Sequence, residues 1–382
     1  MPSNAAPPTP RCKNGRKALF LARRLAFERR SGDIDGGMAM TTNMTIRAAA
    51  LALAIVLFPA AARADAIADF YKGRTINIVV GHEVGTGFDI YARALARHLG
   101  RHIPGHPSIV VQNMVGASGL TAANWLYNIA PKDGTVLATY VHTAPFEPLF
   151  GNTSAKFDPA LFAWIGNMEE SVGVCGVSKA SGIMRFEQLR ERETVFGATG
   201  ATGPLGKFAL ALRNLLGAKL KVVHGYKGSA SVKIAMQRGE VQGICGLPMS
   251  TIKSFWRDVY ESGEFRPVIQ LNGKKSAELA GIPHVDDFAK TEDDRQVFGL
   301  IFAVQVLGRP FMSPPGQPPE RVRALRNAFA ATMKDKDFLA EAAKTQIDIS
   351  PNTGEEVEAL IARYAGVSKA VVARANDAFR RD

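Results

Sequence analysis

Residues 75–100 read TINIVVGHEVGTGFDIYARALARHLG. Thr75 to Val80 is a short, β-branched apolar run, Gly81 to Asp89 is a glycine-rich turn, and from Ile90 to Gly100 apolar residues recur at helical spacing. That is a strand, a loop and a helix in succession. The same pattern returns along the chain.

Ser108 to Gln112 forms a second strand, Gly116 to Gly119 a turn, Thr121 to Ile129 a helix and Thr135 to Tyr140 a third strand. A new series starts at the strand Val172 to Val177. It continues through the strand Val195 to Ala198, the helix Leu205 to Leu216, the strand Lys221 to His224, the helix Ser231 to Gly239 and the strand Val241 to Gly246. Such alternation predicts an α/β protein with a mostly parallel sheet flanked by helices in each series. A chain of 382 residues exceeds the ~250 to 300 residues at which single cores stop growing. Two lobes are therefore expected, the first over 65–167 and completed by 298–382, the second over 168–297.

Arg266 to Leu271 and Val297 to Gln305 read as strands leading back to the first lobe. The Pro-rich stretch Pro310 to Pro319 then separates sheet from the closing helices Glu320 to Met333, Asp337 to Ala343 and Glu355 to Phe379. A chain that returns crosses between the lobes twice, which makes a hinge over a cleft.

The formal charge of +12 is unevenly spread, because ten of the 47 basic residues and three of the 35 acidic ones precede Asp65. The remainder is nearly balanced, with no basic stripe or interleaved aromatics of the kind that grip a phosphate backbone, so nucleic acid is excluded as a partner. Met44 to Ala64 has the three parts of a secretory signal: Arg47, the apolar run Ala48 to Phe58, then Pro59 and Ala62-Arg63-Ala64. The run is too short to span a bilayer, and cleavage before Asp65 is expected. Residues 40–64 are thus read as a signal peptide for periplasmic export. Residues 1–39, basic and upstream of it, are read as a non-native or unstructured extension, with Met40 or Met44 as the true start. Cys175 and Cys245 remain in the exported part, where two buried free thiols are expected and a disulfide is the alternative that an oxidising compartment permits.

Three glycine-rich turns follow strands and lead into helices: Gly81 to Asp89, Gly116 to Gly119 and Gly197 to Gly203. In an open α/β sheet such turns line the crevice. The free N–H groups of the following helix carry positive partial charge and suit a carboxylate or phosphate without any metal. Gly85, Thr86, Gly87 and Asp89 are the candidates in the first turn and Ser118 in the second. Ala198, Thr199, Gly200 and Thr202 are those in the third, where the hydroxyls can donate to an oxyanion. Asp89 also stands where it can cap its own helix. His142 and Thr143 fall where another first-lobe loop reaches the cleft, with a solvated loop histidine as the alternative. Tyr226 offers a flat wall and a hydroxyl, or plain packing.

Several motifs occur in a fixed order: Val84-Gly85-Thr86-Gly87-Phe88-Asp89 with Ala92-Arg93, Gln112-Asn113-Met114-Val115-Gly116-Ala117-Ser118-Gly119, Pro131-Lys132-Asp133-Gly134-Thr135, Tyr226-Lys227-Gly228, Ala280-Gly281-Ile282-Pro283 and Pro315-Gly316-Gln317-Pro318. In order and spacing this set, from Phe70 to the C-terminus, resembles the Bug, or tripartite tricarboxylate transporter (TctC-like), family of periplasmic substrate receptors. The resemblance implies a two-lobed periplasmic-binding-protein fold, type II-like, with lobes joined by crossing strands. It also implies that Gly85 to Asp89 and Ala198 to Thr202 clamp a carboxylate between them. The chain departs from the family where Glu83 and Val84 replace the usual Pro, His82 an aromatic and Phe88 a small residue. These changes predict a narrower, less anion-friendly pocket and a ligand different from simple di- and tricarboxylates.

Enzyme motifs are incomplete. Ala201 to Lys207 resembles a phosphate loop, yet Phe208 stands where Ser or Thr must hold magnesium, and His82-Glu83 lacks the second zinc-binding His, Thr86 standing in its place. There is no Gly-x-Ser-x-Gly elbow, and Gly85-x-Gly87 lacks the third glycine of a dinucleotide turn. No catalytic residue, metal ligand or cofactor is expected. The expectation is a monomeric receptor that binds a small organic anion and passes it to membrane transporter subunits or a sensor. The alternative is a periplasmic enzyme acting on a small carboxylate.

Overall fold

The computed structural model describes residues 66–381 apart from residue 201. The expected signal peptide and the extension before it lie outside the described residues. After a helical turn over 66–71, β1 (Thr75–Val80), α1 (Gly87–Leu99), β2 (Ser108–Asn113), α2 (Leu120–Asn128), β3 (Val136–Thr139) and β4 (Ala163–Asn167) follow in order. β5 (Gly173–Ser178), β6 (Thr194–Gly197), α3 (Pro204–Leu216), β7 (Leu220–Val223), α4 (Ser229–Gln237), β8 (Gly243–Pro248), α5 (Met249–Phe255), α6 (Arg257–Glu261) and β9 (Phe265–Gln270) come next. The chain ends with α7 (Glu292–Phe302), β10 (Pro310–Ser313), α8 (Pro319–Thr332), α9 (Lys336–Thr345), β11 (Asn352–Thr353), α10 (Gly354–Ala365) and α11 (Lys369–Ala378).

Two sheets result, ordered β11-β4-β10-β3-β1-β2 and β7-β6-β8-β5-β9. Each has a parallel core: β1 lies between β2 and β3, and β6 between β7 and β8, all in parallel. Antiparallel strands are added where the chain crosses back, β10 between β3 and β4, and β5 between β8 and β9. β1 is buried on both faces over most of its length, as a central strand must be, and α1 buries Tyr91, Ala92, Leu95 and Leu99 along one stripe against that sheet. Burial of each large apolar side chain contributes about 1.5–3 kcal/mol.

Residues 168–172 lead from β4 of the first sheet to β5 of the second, and 303–309 lead back to β10. Behind them the core is continuous, with Tyr140 and Trp164 on one side and Cys175 and Phe208 on the other. α11 adds a third link, because it packs on α7 and α3 although α10, just before it, packs on β4.

Three expectations change. Val297 to Gln305 is helical through Phe302 and continues in a 3-10 turn. A fully apolar run fits a buried helix as well as a buried strand. What decides it lies upstream, where Thr291 and Asp294 cap each other (3.1 Å and 2.9 Å) ahead of the acidic first turn. The last helix is two, because Ser368 starts a new one by accepting the Val371 N–H. The Pro-rich segment itself supplies β10, with Pro310 at the strand's first position.

Cys175 and Cys245 are joined in a disulfide rather than left as free thiols. They face each other across the antiparallel pair β5 and β8, at the point where its register shifts.

Candidate functional site

One cavity of about 60 Å³ collects residues from both halves of the molecule. From the first come His82, Thr86, Gly87, Phe88, Val141 and His142. The second half supplies Thr199, Pro204, Leu205, Gly228, Ser229, Leu247 and Thr251, and Arg309 comes from the returning crossover. The volume is that of a few water molecules, at ~10–15 Å³ apiece on this measure.

The backbone explains why these residues meet. α1 begins at Gly87, α3 at Pro204 and α4 at Ser229, and the starts of all three border the cavity. Unpaired N–H groups at helix starts give such a space a positive edge. The turn before α1 is held by Asp89, which is buried and accepts the Gly85 N–H (3.0 Å), Asn113 (2.9 Å) and Arg93 (3.0 Å). Burial works to raise the Asp89 pKa, but the bonds from Arg93, Gly85 and Asn113 outweigh it and leave the carboxyl below its usual range.

Arg309 is the dominant charge at the site and is fully buried. Its guanidinium donates to the Gly308 carbonyl (2.7 Å) and to the Thr251 hydroxyl (3.2 Å), and lies over the rings of Phe88 (4.8 Å) and Tyr91 (4.7 Å). Its Nε stands 3.6 Å from Glu169 Oε2, and neither atom has a hydrogen-bond partner. Gly87 is required here, since a Cβ would fall 2.7 Å from Arg309 Nη2. His82 stacks on Phe88 with centroids 4.7 Å apart, and His142 lies 6.3 Å from the Phe208 ring. Burial, then the charge of Arg309, lowers the His82 pKa to about 4. The same two causes, with His82 added, lower that of His142 to about 3. Both rings are therefore neutral at pH 7.

Of the residues singled out from the sequence, Thr86, Gly87, His142 and Thr199 line the cavity. Thr202 and Thr143 instead tie the halves together: Thr202 donates to the Ala117 carbonyl (3.0 Å), and Thr143 to the Thr202 carbonyl (3.0 Å). Ser118 packs against the opposite turn, so that a Cβ on Gly200 or Gly203 would fall within 2.9 Å or 2.8 Å of its hydroxyl. Gly85 lies at the outer edge, Ala198 is buried in the core, and Tyr226 packs with the second sheet's core rather than on the cavity wall. Sequence reasoning missed Arg309, Thr251 and the start of α4. The last was signalled by Gly228 after β7, whereas Gly308-Arg309-Pro310 resembles any polar turn.

No protein-family model matches the chain. A curated relative, "UPF0065 protein in gbd 5'region" of Cupriavidus necator, is 23% identical over 339 residues, which cover 86% of this chain and 94% of that protein. The solved periplasmic binding protein BugD superposes with a TM-score of 0.62 at 18% identity over 81% of this chain and 98% of its own. In fold, the chain is similar to the Bug/TctC-like periplasmic binding proteins. MatC of Rhodopseudomonas palustris, solved with bound malate, aligns with this chain at a TM-score of 0.59 and 15% identity, covering 80% of this chain and 99% of MatC.

Proposed function

We propose that the chain is a periplasmic solute receptor that closes around a small organic anion with a carboxylate. It delivers this solute to a membrane transporter of the tripartite tricarboxylate kind or to a sensor, and it acts as a monomer after export through the signal in Met44 to Ala64. The observation that carries this reading is the convergence of three helix starts and the buried Arg309 on one cavity between the halves. A solute held from both sides stabilises the closed arrangement that the Thr143, Thr202 and Ala117 contacts already describe, and closure is what a partner recognises. The malate held by MatC is a ligand of the expected chemistry.

Calorimetry of the purified protein against carboxylates, amino acids and phosphates tests the proposal. Reversible one-to-one binding of a carboxylate without product is expected. Turnover of any member of the panel, or binding of none of the carboxylates, overturns it.

A further inference from the structure

His142 is buried, and both of its ring nitrogens lack a hydrogen-bond partner although the ring lines the cavity. The Nε2 of His82, on the same cavity, is also buried and unpartnered. A neutral imidazole always presents one N–H donor and one bare acceptor nitrogen. A carboxylate has acceptors only, so it satisfies the N–H of His142 and leaves the second nitrogen facing another acceptor or nothing. An unsatisfied buried acceptor is costly, and sites built around one discriminate strongly against ligands without the matching hydrogen.

We propose that His142, with His82 beside it, makes the cavity selective for a hydroxycarboxylate: the ligand hydroxyl donates to an imidazole nitrogen while the carboxylate faces Arg309 and the helix starts. This rests on the carboxylate-receptor reading above and names the ligand class for the same site. A hydroxyl is favoured over an ammonium group as the donor, because the Arg309 guanidinium borders the same small space and repels a second cation. The groups facing His142 leave its ring neutral: Phe208 covers one face, and the charged or titratable neighbours acting on it are Arg309 and His82, neither of which is an anion.

The experiment is isothermal titration of the purified protein with matched pairs, malate against succinate and lactate against propionate, between about pH 6 and 8, the range in which an ordinary histidine titrates. At least one hydroxy acid is expected to bind tenfold or more tightly than its deoxy partner, with a ratio that does not change with pH. His142→Phe is expected to abolish that ratio. Should the variant not fold, the wild-type pairs decide alone. Equal affinities within both pairs overturn the inference and leave the receptor proposal standing. The inference also falls if the deoxy acids gain affinity about tenfold per unit of acidification, since His142 would then bind as an imidazolium. A ratio that survives intact in a folded His142→Phe protein overturns the assignment to this residue. If neither these acids nor any other carboxylate binds, the receptor proposal fails and this inference fails with it.

Discussion

Glu147, in the turn after β3, and Lys207, on α3, meet as an ion pair buried between the two halves of the molecule, with the Lys207 ammonium also 4.7 Å and 4.8 Å from the ring centres of Phe150 and Phe379. Burial lowers the Lys207 pKa, and the neighbouring Glu147 carboxylate only partly opposes that shift. Removing either partner leaves an uncompensated buried charge. Glu147→Leu and Lys207→Met should each cost about 3–5 kcal/mol, whereas the double substitution should lie close to wild type, because an apolar pair avoids both desolvation penalties. A double-mutant cycle in urea measures this, and additive single effects would show that the two residues do not act as a pair.

Gly87→Ala should weaken both ligand binding and the fold. A Cβ at this position falls 2.7 Å from Arg309 Nη2 and 3.2 Å from Thr251 Oγ1. The guanidinium has little room to retreat, being covered by Phe88 and Tyr91 and anchored to the Gly308 carbonyl. Displacing it loses hydrogen bonds to a charged ligand, worth about 1.5–3 kcal/mol, or about 10- to 150-fold in affinity. Alanine suits the first turn of a helix, but crowding the fully buried, ion-paired Arg309 should lower the urea midpoint as well. Calorimetry and urea titration of the same preparation check both halves of the expectation, and unchanged affinity would remove Arg309 from the ligand's surroundings.

How far the sequence alone leads can be judged from these same residues. The glycine turn before α1 was legible because Gly85, Gly87 and Asp89 each answer to a local rule about turns and helix starts. Arg309 obeys no local rule. Its role arises from the crossover bringing it against Gly87 and Thr251, residues far from it in sequence and governed by tertiary packing. The halves' contacts at Thr143 and Thr202 were not legible for a related reason: a hydroxyl on a glycine turn looks the same whether it faces a solute or the opposite lobe. Val297 to Phe302 shows the complementary limit, since an unbroken apolar run carries no period from which helix or strand can be read.

The Cys175–Cys245 bridge joins residues 70 positions apart. Closing a loop of that length restricts the unfolded chain, and native bridges of this kind typically contribute about 2–4 kcal/mol. Protein secreted to the periplasm and unfolded in denaturant should therefore show no reactive thiol from this pair until reductant is added. Reduction should then lower the urea midpoint. Two titratable thiols in the unreduced chain would establish that the cysteines are adjacent but free.

Acid should loosen the molecule at two ties between separate helices. Glu341 on α9 accepts from Arg97 and His98 on α1, and the bond from Arg97 is the main cause that holds its pKa at about 2. Asp294 on α7 sits at about 2 because it accepts the Lys290 N–H first of all, and then Arg374 of α11. A carboxylate whose folded pKa lies below its ordinary value stabilises the fold above that ordinary value, and the contribution is lost as pH falls toward the folded pKa. The loss should run from about pH 4.5 down to about 2 for Glu341 and from about 3.8 down to about 2 for Asp294. Neither group contributes a slope above that window. Urea midpoints measured across it should fall with acid, and Arg97→Ala and Arg374→Ala should each flatten part of the decline while lowering the plateau at neutral pH. A decline that is as steep in both variants as in the parent protein would place the acid sensitivity at other carboxylates.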